Sequence, residues 1–188
     1  MRMMGFKEAV SAYSAASNRR DAVANTLALV IASNQPFYPL YLYWAVSPTI
    51  WPSFFAFSST PMFALVPLAM RRHSTLGRSL FLIAGIGNTL LCRFIFGDAS
   101  GVDVFLFPCL MLAVLLFDKS ERVYAALFVG LGFVAYLIPA SVFGGPVHLY
   151  LPEEYSALAR LNFLSAASLT VVIGWLLGPI GKDPSHSK

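Results

Sequence analysis

The stretch RRHSTLGRSLFLIAGIGNTLLCRFIFGD, residues 71–98, carries the pattern on which the whole chain is built. It opens on paired arginines, runs through a largely apolar span (76–97) and closes on a glycine–aspartate turn. A helix of about 20 apolar residues crosses the hydrocarbon core of a bilayer. The stretch therefore predicts a transmembrane helix with one basic and one acidic end. Five more stretches follow the same rule: 22–46, 49–70, 102–118, 122–143 and 156–180. The fourth of the six is the shortest, and the first has an internal polar break. The fold class predicted is all-α, a polytopic bundle of six transmembrane helices.

Composition agrees. Of 188 residues, 57% are hydrophobic and only 12% charged, about half the charge of a soluble domain. The net charge of +4 does not describe a phosphate-binding face, because the basic residues sit in short clusters between apolar spans. No nucleic-acid partner is expected; the partner that composition implies is the bilayer. Arg2, Lys7, Arg19, Arg20, Arg71, Arg72, Arg78, Lys119, Arg122, Lys182 and Lys188 all fall on one side of the predicted bundle. The opposite loops carry Asp98, Asp103, Glu153 and Glu154 and neither Lys nor Arg. By the positive-inside rule both termini are cytoplasmic, N-in and C-in, as an even number of spans requires.

Three regions follow. Residues 1–20 are a cytoplasmic segment in which Met3, Met4, Phe6, Val10, Tyr13 and Ala16 would share one face of an amphipathic helix; a frayed tail is the alternative. The segment has too many charges and no continuous apolar core for a cleavable signal peptide. Residues 21–181 form the membrane domain and 182–188 a short cytoplasmic tail. The outer loop 144–155, GGPVHLYLPEEY, is long enough to form a lid.

Polar groups inside the spans mark where a ligand site would lie. Asn34 and Gln35 precede Pro36, which removes a backbone hydrogen bond and disfavours helix at the residue before it. Their carboxamides either repair that kink or line a cavity, together with Tyr38 and Tyr41 one to two turns on. Asn88 and Cys92 share a face of the third helix. Arg93 and Arg160, the two basic residues outside the inner clusters, lie at matching depth near the outer boundary. Intramembrane charge is rare enough to raise a functional question, with structural ion pairing or snorkelling as the alternative. Asn162 completes the candidate ligand-binding set of Asn34, Gln35, Tyr38, Tyr41, Asn88, Arg93, Arg160 and Asn162. It also heads a ridge, Asn162, Ala166, Thr170, Gly174 and Gly178, spaced every four residues, which allows close helix packing within the bundle or between two copies.

No catalytic residues are assigned. There is no HExxH, GxSxG or P-loop pattern and no pair of carboxylates within a span. The two cysteines form no CxxC pair, and the spans hold no histidine pair for haem and no lysine for a Schiff base. A non-enzyme with neither cofactor nor metal is expected.

Three stretches carry a resemblance: QPFYPLYLYW (35–44), PMFALVPLAMRR (61–72) and GDASGVDVFLFPCLMLAVLLFDKSER (97–122). Their order resembles the six-helix membrane modules that precede cyclase or kinase output domains in bacterial signalling proteins, including class III adenylate cyclases and quorum-sensing-type histidine kinases. The resemblance spans most of residues 20–180 and rests on loose motifs. It implies a bacterial inner-membrane receptor module that senses a small apolar or anionic lipid-like ligand, or the membrane state, and acts as a homodimer. Because the sequence ends in GKDPSHSK without an output domain, the resemblance implies a stand-alone relative, a truncated one, or a partner for a separate cyclase or kinase effector. A small transporter or channel subunit and a structural subunit of a membrane complex are the competing readings.

Overall fold

The computed structural model describes residues 5–178. Readings that fall on Arg2, Met3, Met4, the Phe6 side chain, the end of the sixth span and the tail with Lys182 and Lys188 lie outside the described residues. Helix α1 (Phe6–Ser14) precedes the bundle. Tyr13 fixes it in place, its hydroxyl donating to the Ala64 carbonyl at 2.8 Å while the Arg71 guanidinium lies 5.2 Å above its ring.

Six helical rods follow. The first is α2 (Arg19–Asn34), a 3-10 turn (Gln35–Phe37) and α3 (Tyr38–Ala45). Pro36 and Pro39 account for the break, since neither can donate to the preceding turn. The second rod is 3-10 over Trp51–Ser59 and becomes α4 (Thr60–Arg72), with Pro61 in the first helical turn, where its missing N–H costs nothing. The third is α5 (Ser74–Phe96), ended by Gly97 at φ 80°. A 3-10 turn (Val102–Phe105) leads into α6 (Leu106–Leu116), and another (Lys119–Glu121) into α7 (Arg122–Leu137). Here the expected span to residue 143 is corrected. Ile138, pushed to extended backbone by Pro139, stops the helix six residues early, and a separate 3-10 turn (Ala140–Phe143) follows. The sixth rod, α8 (Pro152–Leu177), begins four residues before the predicted start.

Among the described residues the fold is all-α, and four helices are long and apolar enough to cross a membrane: Trp51–Arg72, Ser74–Phe96, Lys119–Leu137 and Pro152–Leu177. The proline-split first rod falls outside that count, and Val102–Leu116 is a shorter apolar helix. Large side chains such as Phe107, Val123, Leu137, Phe163 and Trp175 point outward, a surface suited to lipid rather than water.

With the Arg78 end called inner and the Tyr150 end outer, as labels only, helix α5 is the central post, touched by α2, α4, α6 and α7, while α8 packs on α6 and on the outer turn before it. Two apolar cores stack along this post. The inner one includes Leu27, Phe63, Phe81, Leu112 and Phe117; the outer one includes Leu42, Ile95, Phe96, Tyr150 and Leu158. The outer loop closes that end: Val147 N–H donates to the Ile95 carbonyl at 3.1 Å, and the buried Tyr150 donates to the Thr49 carbonyl at 2.8 Å. At the inner end Arg78, only 4% exposed, bonds Asp21 at 2.6 Å and Glu121 at 2.7 Å. Asp21 is held further by Ser74 and Asn18. This cluster ties α2, α5 and the turn before α7 into one plug.

Candidate functional site

Between the two plugs lies a cavity of about 760 Å³, within the size range of small-molecule sites. Six of the eight residues expected at a site line it: Asn34, Gln35, Tyr38, Tyr41, Asn88 and Asn162. The first rod contributes four of them. Leu27, Ile31, Gln35 and Tyr38 follow one another at helical spacing along the rod, with Gln35 buried, Tyr38 half-buried and Asn34 and Tyr41 exposed at the edge of the space.

The polar residues are organised by hydrogen bonds. Gln35 is buried; its Nε2 donates to Ser59 Oγ at 2.6 Å, and its Oε1 accepts from Thr60 Oγ1 at 2.5 Å. Ser59 in turn donates to Asn88 Oδ1 at 2.7 Å, linking the first three rods. Asn162 Nδ2 donates to the Ser100 carbonyl at 3.0 Å, anchoring α8 to the outer turn. The two phenols are loosely held. Tyr38 reaches Asn162 Oδ1 at 3.4 Å and Tyr41 reaches Asn34 Oδ1 at 3.3 Å, distances longer than the usual range for O–H donors.

Arg93 and Arg160 are not part of the cavity. Arg93 Nε bonds Asp98 at 2.5 Å and lies 3.2 Å from Asp103, and its NH1 bonds the Tyr136 carbonyl at 2.9 Å and that of Ala135 at 3.3 Å. It caps the end of α7, whose last carbonyls lack helical partners, and its charge is consumed there. Arg160 is exposed on the far side of α8 and makes no ion pair among the described residues. Its spacing from Asn162 places it about 200° away around the helix, at 3.6 residues per turn. The matching depth of the two arginines does not bring them together.

The ridge on α8 packs within the bundle. Asn162 and Ala166 are buried, and a Cβ on Gly174 would stand 3.3 Å from Met111 of α6. Thr170 bonds back to the Ala166 carbonyl in its own helix. Near the outer end Gly101, at φ 64°, brings the turn so close to α8 that a Cβ there would meet Ala159 at 3.2 Å. Helix α8 is thus fixed at its outer end. At its inner end Arg19 NH2 donates to the Leu176 carbonyl at 2.7 Å.

The sequence reading missed Ser59 and Thr60, which satisfy Gln35, and Cys109, which lines the cavity beside Cys92. It treated Arg78 only as an inner-face charge. A signal was present in both cases: hydroxyls beside a proline at the start of a span, and the carboxylate of Asp21 at the start of another.

The fold and site define a membrane-associated α-helical module with an uncharged cavity open along one flank. The chain belongs to the MASE7 family of membrane-associated sensor domains, whose model matches residues 11–176. No curated protein and no solved structure matches it.

Proposed function

We propose that the chain is a non-enzymatic membrane sensor module whose cavity holds a small ligand, with α8 reporting occupancy to the inner face. The six rods are read as six spans with both ends cytoplasmic, which places the acidic turns and the Tyr150 lid outside. The observation that carries the proposal is the cavity, bounded by α8 between two unequal attachments. The outer attachment is rigid, built from the buried Asn162–Ser100 bond and the Gly101–Ala159 contact. The inner one is apolar packing of Leu169, Ile173 and Leu176 against the inner core, with Arg19 on the Leu176 carbonyl. A ligand that fits one position of α8 better than another shifts that helix by its difference in affinity, pivoting it about the outer end. The inner end would then act on an effector of the cyclase or kinase class.

The lining supports this reading over a transporter. It includes neither the Arg78 cluster nor the outer loop, so the space is not a path between the two faces. A purely structural bundle has no need of a cavity this large. The test is native mass spectrometry of protein purified from its host membrane, comparing wild type with Ser165→Trp, which fills the mouth from an exposed position on α8. The expected result is a bound small molecule on the wild type and none on a folded variant. Empty wild type, or an adduct indifferent to the substitution, would refute it.

A further inference from the structure

The chemistry and placement of the lining identify what the cavity takes. Every residue that lines it is uncharged: there is no Asp, Glu, Lys, Arg or His among them. Arg160, two residues from Asn162, stands about 200° away around α8, and Arg93 is spent on Asp98 and the end of α7. A carboxylate or phosphate brought here would be stripped of water with no cation to meet it, which costs several kcal/mol. A neutral hydroxyl, carbonyl or amide would not suffer that loss. It would find the loosely held phenols of Tyr38 and Tyr41 and the carboxamides of Asn34 and Asn88.

The carboxamides and phenols are also gathered toward one end; further along, the lining carries only the hydroxyls of Thr26, which bonds back to the Ala22 carbonyl, and of Ser165 and Ser168. From Asn162 toward Leu176 the α8 wall runs 14 residues, about 21 Å at ~1.5 Å each. Facing it, Leu27, Ile31 and Leu112 make the inner part apolar. The cavity is therefore a slot, polar at its outer end and greasy along most of its length. Its mouth lies between the first and sixth rods: Val30 and Phe37 on one side and Leu164 and Val172 on the other all line the space while remaining exposed to the surroundings. With both ends plugged and the flank open, entry is sideways, from the hydrocarbon region of the bilayer.

Resting on the sensor reading above, we infer that the ligand is an uncharged amphiphile, a hydroxyl- or carbonyl-headed molecule with a single long apolar tail, which enters from the bilayer between α2 and α8. An anionic lipid, which the two arginines had suggested, is excluded from this site by its charge. Bulk phospholipid, whose headgroup is charged, enters the slot by its tail alone.

The test is photolabelling of the full chain in nanodiscs with three probes sharing one diazirine-bearing tail: a long-chain primary alcohol, the matching carboxylate at alkaline pH, and the matching phosphocholine. The expected result is alcohol adducts on α2 and α8 residues of the lining. They should be competed by unlabelled monoacylglycerol, reduced several-fold by Tyr41→Phe or Asn34→Leu, and at least about tenfold stronger than those of the carboxylate. Both substitutions are at exposed positions, so the fold should survive either. Equal labelling by alcohol and carboxylate would overturn the neutral-ligand inference while leaving the cavity as a ligand site. Labelling spread evenly over the outer face of α7, without competition, would mean bulk lipid only and would overturn both. A dimer cross-linked through α2 and α8 with no adducts would put a second copy in the slot and overturn the inference.

Discussion

Replacing Arg93 by Gln separates a structural arginine from a ligand-binding one. The side chain is 10% exposed and stands between two carboxylates and two terminal carbonyls of α7. Breaking one partner of a buried pair costs 3–5 kcal/mol, because the remaining charge is left uncompensated. Asp98 is 49% exposed and can be rehydrated, which puts the loss near the lower limit. Asp103 is less exposed, at 20%, and its Oδ1 has no hydrogen bond of its own, so it gains nothing when the cation goes. The expected cost is about 3 kcal/mol, or roughly 100-fold in the unfolding equilibrium. Equilibrium unfolding in mixed micelles measures it, with Asp98→Asn and the double variant completing a cycle. The single losses should fall well short of additive. Ligand retention by the folded fraction should be unchanged. A loss below about 1 kcal/mol, or a well-folded variant that no longer holds ligand, would refute the structural assignment.

Three other outcomes follow from the same geometry. Single cysteines at Ser120 and Gly144 should react with a membrane-impermeant maleimide from opposite sides, Gly144 from outside; labelling of both from one side would remove the six-span, N-in reading. Gln35→Leu leaves Ser59 and Thr60 without their partner and should cost about 1–3 kcal/mol, whereas Asn34→Leu, at an exposed position, should cost well under half as much in the same unfolding assay. Burial pushes the Tyr150 phenol up to about 12. The folded state therefore holds that proton more tightly than the unfolded chain, whose phenol titrates near 10. Stability should be flat below pH 10 from this group and fall between about 10 and 12 as only the unfolded state loses the proton. Tyr150→Phe should flatten that fall in a pH series of unfolding midpoints.

The rods and their order were legible because spans are written in runs of apolar residues, and the cavity's polar end because Asn34, Gln35, Asn88 and Asn162 are unusual in such runs. Element ends were less legible. Pro139 lies inside an apolar run, and hydropathy does not register that it halts α7. The arginines show the larger limit. Arg93 and Arg160 look alike in sequence, each a lone charge near the outer boundary, yet one is enclosed by carboxylates and the other projects from the bundle. That difference depends on which face of each helix meets a neighbour. Arg78 illustrates the converse. It sits in an inner basic cluster and reads as a topology signal, but its partners, Asp21 and Glu121, are 57 and 43 residues away. The closure of both ends, and hence the sideways mouth, rests on such long-range contacts.

The central claim, that what fills the slot is reported by α8, is tested most directly by the distance from the inner half of α8 to α7. Spin labels replacing Trp175 and Val123, both exposed, would report it by electron–electron dipolar spectroscopy in nanodiscs with and without a monoacylglycerol. The account predicts a shift on the order of 1–2 Å on binding, typical of a displaced helix, and its absence in Ser165→Trp. An unchanged distribution with the ligand demonstrably bound would contradict it.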